Sequence, residues 1–228
     1  MRSYATQYAL YSSLHGFSLD SLTSINVSAN SGGGSTTEAI DLRQGTLKAS
    51  AVQSASGLTR EGDVRLGDTI SLFGLTAPTT ITVQMHVAGV LSGRAVAVAG
   101  LFIGGPGLDL VASPLPTVDF AGENYGGVLA NPLLVDDVLQ VSMLLTPALP
   151  SFSFAAGLSV VAHGPVTAGG TSEAAEFGNS AEVTLVLPAG ISFESASGVF
   201  LQPVPLPATI GLLASALGGL GLMRRRWN

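Results

Sequence analysis

The chain has 228 residues, enough for one domain with a real hydrophobic core. Its residues are 46% hydrophobic and only 11% charged, with 29 glycines, which excludes both a charged helical rod and an intrinsically disordered chain. The net charge is −6, and nucleic acid is excluded as a partner because phosphate binding needs a basic patch; the absence of cysteine excludes disulfides, thiolate metal sites and cysteine nucleophiles.

At the N-terminus Arg2 is basic, but no apolar stretch of signal-peptide length follows it. Tyr8-Ala9-Leu10-Tyr11 is the longest apolar run before Ser12 and Ser13 interrupt. Ser31-Gly32-Gly33-Gly34-Ser35 reads as a flexible linker. The expected organisation is an N-terminal segment and linker over 1–36, a β body over 37–202 and a tail over 203–228.

Short strands with period-two alternation fill the body. Ile81, Val83, Met85 and Val87 alternate with Thr82, Gln84 and His86. Leu139, Val141, Met143 and Leu145 alternate with Gln140 and Ser142, and Phe152 through Val160 with Ser151, Ser153 and Ser159. Ala181, Val183, Leu185 and Leu187 oppose Glu182 and Thr184, while Ile191 and Phe193 oppose Ser192 and Glu194. Weaker candidates are Thr46–Val52, Thr69–Leu72 and Ala95–Ile103. Turn signals fall at Gly62-Asp63, Pro78, Ser92-Gly93, Gly104–Gly107, Pro147–Pro150, Gly169-Gly170 and Pro188–Gly190. Val87–Ile103 is apolar enough for a membrane span, but Arg94 at its centre with Gly89, Ser92 and Gly93 nearby favours two strands and a turn. The fold class expected is mainly β: an antiparallel, jelly-roll-like β-sandwich followed by one C-terminal transmembrane helix.

No catalytic signature is present: no nucleophile elbow, zinc-protease helix, P-loop or dinucleotide-binding glycine pattern. His15, His86 and His163 lie far apart, each without a second ligand at metal spacing, and read as surface imidazoles. Asp136-Asp137 could join Asp119 or Glu123 around calcium, which takes several oxygen ligands, but a solvated turn after Pro132 is the plainer reading. No cofactor and no metal site is expected. For sugar binding, aromatics are only 6% of residues, and Tyr125, on an apparent loop, is the one body aromatic placed to stack on a ring.

The tail carries the strongest signal. Val204-Pro205-Leu206-Pro207-Ala208 leads into a run from Ala208 to Met223, 16 residues without a charge, closed by Arg224-Arg225-Arg226. The prolines hold the entry extended, and Pro207 suits a first helical turn. As a helix the run spans roughly 24 Å, short of a hydrocarbon core of roughly 30 Å by an amount that snorkelling arginines can cover. The arginine cluster places the C-terminus in the cytoplasm and the body across the membrane, with Trp227 as an interfacial aromatic. A buried C-terminal helix with a basic cap is the competing structural reading.

This tail resembles the PEP-CTERM sorting signal in its Val-Pro-Leu-Pro-Ala variant. Leu206-Pro207-Ala208-Thr209 also matches four positions of the Gram-positive sortase signal, but Ile210 stands where that signal has glycine. Gly45–Ala49, Phe177–Ala181, Leu187–Phe193 and Ser195–Phe200 resemble stretches in PEP-CTERM protein bodies. The resemblance implies recognition by an exosortase-type enzyme in a Gram-negative bacterium that makes extracellular polysaccharide. It implies a sorting motif at Val204, Pro205, Leu206, Pro207 and Ala208 and a stop-transfer cluster at Arg224, Arg225 and Arg226. The expected protein is exported and noncatalytic: a precursor tethered transiently to the inner membrane, then a cell-surface or matrix protein, with extracellular polysaccharide as a further partner. An export-type tail without an N-terminal signal leads to the expectation that the reading frame begins upstream of Met1. The alternatives are a carbohydrate-binding module or adhesin, and a secreted hydrolase.

Overall fold

In a computed structural model of the chain, residues 8–12, 16–18, 24–105, 119–127, 131–165 and 171–201 are described. The described residues contain no helix and form β1 (Tyr8–Ser12), β2 (Gly16–Ser18), β3 (Ser24–Ser31), β4 (Gly34–Asp41), β5 (Thr46–Gln53), β6 (Thr59–Phe73) and β7 (Thr79–Ser92). They continue with β8 (Val96–Gly104), β9 (Asp119–Gly126), β10 (Leu133–Leu145), β11 (Ser151–His163), β12 (Glu173–Val186) and β13 (Ser192–Ser195). Every pairing is antiparallel. One sheet runs β2-β1-β6-β11-β8-β9, with β13 also on β6; the other runs β10-β7-β12-β5-β4-β3.

The sheets face each other over one core, which is where the alternation of the sequence sends its apolar side chains. Ile81, Val83, Met85 and Val87 of β7 are fully buried, while Thr82, Gln84 and His86 stand on the opposite face. Opposite them, Val64, Leu66, Ile70 and Leu72 of β6 and Phe152, Phe154, Leu158 and Val160 of β11 point inward. A fully buried side chain of this size contributes roughly 1.5–3 kcal/mol relative to an exposed one. The strongly alternating stretches therefore settle their own faces, because a slip of one residue would turn each set to water.

Three expectations change. Ser31–Ser35 is no linker but the tip of the β3–β4 hairpin: Gly32 (φ +53°) and Gly33 (φ +73°) supply the paired left-handed conformations of a two-residue turn. Gly62-Asp63 is no turn, since both lie within the 15 residues of β6. Ser153 does not face solvent; on the central strand β11, held between β6 and β8, it is buried, and its hydroxyl shares a 2.8 Å hydrogen bond with that of Thr69. The apolar stretch Val87–Ile103 is two strands and a turn, as its Arg94 requires. Arg94 sits in the β7–β8 turn, where its Nε donates to the buried Glu173 carboxylate at 3.1 Å and its Nη2 to the Gly164 carbonyl.

The chain after β13 closes the body. Ala196 N–H bonds the Thr69 carbonyl, Ser197 N–H bonds Asp68 Oδ1, and Phe200 turns inward onto Phe154 with ring centroids 4.8 Å apart. No helix among the described residues is long and apolar enough to cross a membrane, a statement that does not bear on crossing by strands.

Candidate functional site

The outer face of the second sheet carries a ladder of polar side-chain pairs. Cross-strand pairing between β7 and β10 sets Thr82 beside Ser142 and Gln84 beside Gln140. Their side chains hydrogen-bond at 2.9 Å and 3.0 Å, and His86 Nε2 lies 2.6 Å from Asp136 Oδ1. On the other side of β7, Glu182 of β12 pairs with His86.

A groove of about 580 Å³ opens at one end of this ladder, lined among others by Ser50, Val90, Leu134, Asp136, Glu176 and Gly178. A register break makes it. Glu176 pairs with Val90 and Ala181 with Val87, so β12 spends extra residues against β7 and bulges. The Phe177 ring drops into the core across β7 at Gly89, where a Cβ would come within 2.4 Å of it. Exposed carboxylates of Asp136 and Glu176 border the groove, a lining suited to accept hydrogen bonds from hydroxyl or amine donors.

Of the residues singled out in the sequence, His86 and Asp136 lie on this face and the other described ones fall elsewhere. Asp136 and Asp137 are not in a turn after Pro132 but mid-strand in β10, where alternation sends them to opposite faces and denies them a shared ion. Among the described residues, no group of three or more His, Asp or Glu side chains could hold a metal ion. Tyr125 is not on a loop. It lies in β9, half-buried against the core, and its hydroxyl donates to Asp137 Oδ2 at 3.2 Å, tying the edge strands of the two sheets together. Burial first, then the Asp137 charge, pushes its phenol above the ordinary value. His86 is exposed as expected, and His163 sits at the end of β11 with Nδ1 3.4 Å from Thr59 Oγ1. His15, Val204, Pro205, Leu206, Pro207, Ala208, Arg224, Arg225 and Arg226 lie outside the described residues.

Sequence reasoning missed Asp68. It occupies an inward position of β6 between Leu66 and Ile70 and is fully buried. Its carboxylate accepts from Thr69 N–H at 2.7 Å and from Ser197 through both N–H (3.2 Å) and hydroxyl (2.5 Å). Ser195 and Ser197 hydroxyls in turn accept from Phe200 N–H at 3.2 and 3.3 Å. The alternation Val64, Leu66, Asp68, Ile70, Leu72 was the available signal, hidden by starting the strand only at Thr69.

No protein-family model matches the chain, and no curated protein does. Among solved structures, it is similar to the enzymatically active domain of tailspike protein 4 of bacteriophage CBA120, at 9% identity and TM-score 0.27 over 81% of this chain and 21% of that one. It is similar also to carbohydrate-binding modules of the β-sandwich superfamily, at 11% identity and TM-score 0.25 over 81% of this chain and 60% of that one. A pore-forming protein matches at 10% identity and TM-score 0.18, over 86% and 92%. The chain thus spans about a fifth of the first neighbour and less than two thirds of the second, and all three TM-scores are under 0.5.

Proposed function

We propose that this protein is a noncatalytic β-sandwich delivered to the cell surface or extracellular matrix by a PEP-CTERM-type C-terminal signal. The observation that carries the reading is the order of parts after Leu201: the Val204–Ala208 motif, 16 uncharged residues, then Arg224-Arg225-Arg226. Each part has a physical task. Pro205 and Pro207 keep the motif extended and accessible to a processing enzyme. The uncharged run spans the bilayer once. Each arginine taken through the bilayer centre costs roughly 2.5–3.5 kcal/mol on insertion scales, so the cluster stays cytoplasmic while the body is held on the far side. An exosortase-type enzyme then removes the tail.

The finer fold reading is a jelly roll. The pairs β7·β10, β6·β11 and β5·β12 nest one inside another in sequence, as in a single long hairpin wrapped into two sheets. The β8–β9 hairpin adds to the edge beside β11.

The test is replacement of both Pro205 and Pro207 by Ala in the native host. Uncleaved, membrane-bound precursor should accumulate while the β-sheet circular dichroism stays unchanged. Normal release of the double variant would overturn the assignment. The groove at the β12 bulge favours a second reading, a carbohydrate-binding role, because carboxylates such as Asp136 and Glu176 accept sugar hydroxyls. Retention on a glycan panel that is lost in Asp136→Ala/Glu176→Ala would select it, and a blank panel would remove it.

A further inference from the structure

We propose that the end of the sandwich bearing Phe73, Leu144, Leu149 and Val186 rests on the surface of the lipid bilayer that the tail spans. The proposal deepens the sorting reading and rests on it for the tether.

Strand order puts these four side chains at one end. Phe73 closes β6, Val186 closes β12, Leu144 is the next-to-last residue of β10, and Leu149 lies in the turn from β10 to β11. Leu145 pairs with Thr79 at the start of β7, Val186 pairs with Thr82, and the Leu72 N–H bonds the Pro150 carbonyl. The four are between 47% and 67% exposed. Phe73 stands on the outer face of the first sheet and Leu144 and Val186 on that of the second, with Leu149 in the turn that joins the two, so together they form a rim. The connections at this end, 74–78, 146–150 and 187–191, contain no charged residue. The β4–β5 turn, which carries Arg43, stops short of it: the Gly45 carbonyl meets the Val183 N–H three residues before β12 ends. Glu194 lies opposite Ser71, two residues inside the end. At the other end Leu58 and Leu134 are exposed as well, but they stand beside Arg60, Glu61 and Asp136 in the chain. The headgroup boundary takes apolar side chains to a depth of roughly 5–10 Å, and its water still pairs the backbone groups of turns.

The length of chain beyond Leu201 selects the end. The Ser197 N–H bonds Asp68 Oδ1, and Phe200 stacks on Phe154, which pairs with Asp68, so the chain leaves the body near the level of Asp68. Along β6 that is five residues short of Phe73 and nine beyond Thr59, roughly 17 Å and 30 Å at about 3.3 Å per residue. Residues 202–207 separate Leu201 from the uncharged run and reach at most about 22 Å when fully extended. They reach a bilayer lying against the Phe73 end and fall short of one lying against the Thr59 end. The motif at Val204–Ala208 is then held close to headgroup level, within range of a processing enzyme in the membrane.

The chain has no cysteine, so single cysteines can carry a fluorescent probe. The full chain is reconstituted into vesicles of zwitterionic phosphatidylcholine with Leu149→Cys, Leu144→Cys or, at the far end, Glu61→Cys labelled. The probes at 149 and 144 should be quenched several-fold more than that at 61 by a lipid bearing a shallow nitroxide, and several-fold less by aqueous iodide. Adding Phe73→Asp/Val186→Asp, both at exposed positions, to the Leu149→Cys chain should cut its lipid quenching several-fold with flotation and circular dichroism unchanged. If the chain floats with the vesicles but the probe at 149 is as open to iodide as that at 61, the proposal falls and the tail reading stands. Equal lipid quenching at both ends would overturn it in favour of a body lying on its side. A probe at 149 shielded from both quenchers would mean that protein covers the rim, and quenching unmoved by the aspartate pair would mean that the rim does not hold it; either overturns the proposal. A chain that does not float removes the tail reading and this proposal with it.

Discussion

Asp68 shows how one inward polar position shapes the molecule. Burial raises its carboxyl from 3.8 to about 6, against the lowering effect of the Ser197 hydroxyl and the Thr69, Ser197 and Ala196 backbone groups. A carboxyl held above its unfolded value contributes stability that is fully present below the unfolded value. That contribution is lost as pH rises through the folded one. The body should therefore lose stability between about pH 4 and pH 7, by up to about 3 kcal/mol from this group. Asp68→Asn keeps an acceptor for the Thr69 and Ser197 N–H groups but cannot ionise, so its denaturation midpoint should be flatter with pH than that of the parent. Equal pH slopes for the two would refute the assignment. At this scale the sequence was a poor guide. Asp136-Asp137 and Tyr125 were visible as residue types, but which side of a strand each occupies decides its chemistry, and that depended on strand limits the sequence did not mark.

Elements were legible where alternation was long and regular, as in β7 and the later halves of β10 and β12, because burial of one face dictates the pattern. They were illegible where glycine serves packing and not turning. Gly62 lies inside β6 because the facing strand approaches closely: a Cβ there would come within 3.1 Å of Thr36 Cγ2 and 3.2 Å of Glu38 Oε1. The same glycine-for-space logic makes the β12 bulge and its groove, with Gly89 yielding room to the Phe177 ring. Gly89→Ala should cost about 1–3 kcal/mol, as overpacked cores do, and should disturb the groove by lifting Phe177. Gly178→Ala, at the same bulge but with nothing within 4 Å of its Cβ, is the control and should be near neutral. Equal midpoints for both variants in denaturant would show that the Phe177 packing does not hold the bulge.

For the whole molecule, the closing step is made by the last described residues. Because β5, β6 and β7 pair with β12, β11 and β10, the sheets are complete only when the end of the body is in place. Phe200 then seals the interior. It is fully buried, stacks on Phe154 and lies beside the β4–β5 turn, where a Cβ on Gly45 would be 3.4 Å from its ring. Phe200→Ala should therefore cost about 3–5 kcal/mol, a large part of the stability of a domain this size. Truncation separates this plug from the tail. A chain ending at Leu201 retains Phe200, the Asp68–Ser197 clasp and every described strand, so it should unfold cooperatively and stay soluble without detergent. A chain ending at Ser195 keeps β13 but loses the plug and should melt well below it. If the chain ending at Leu201 fails to fold while the full chain is soluble without detergent, residues 202–228 are part of the core. The proposed sorting signal, and the surface localisation built on it, would then fall together.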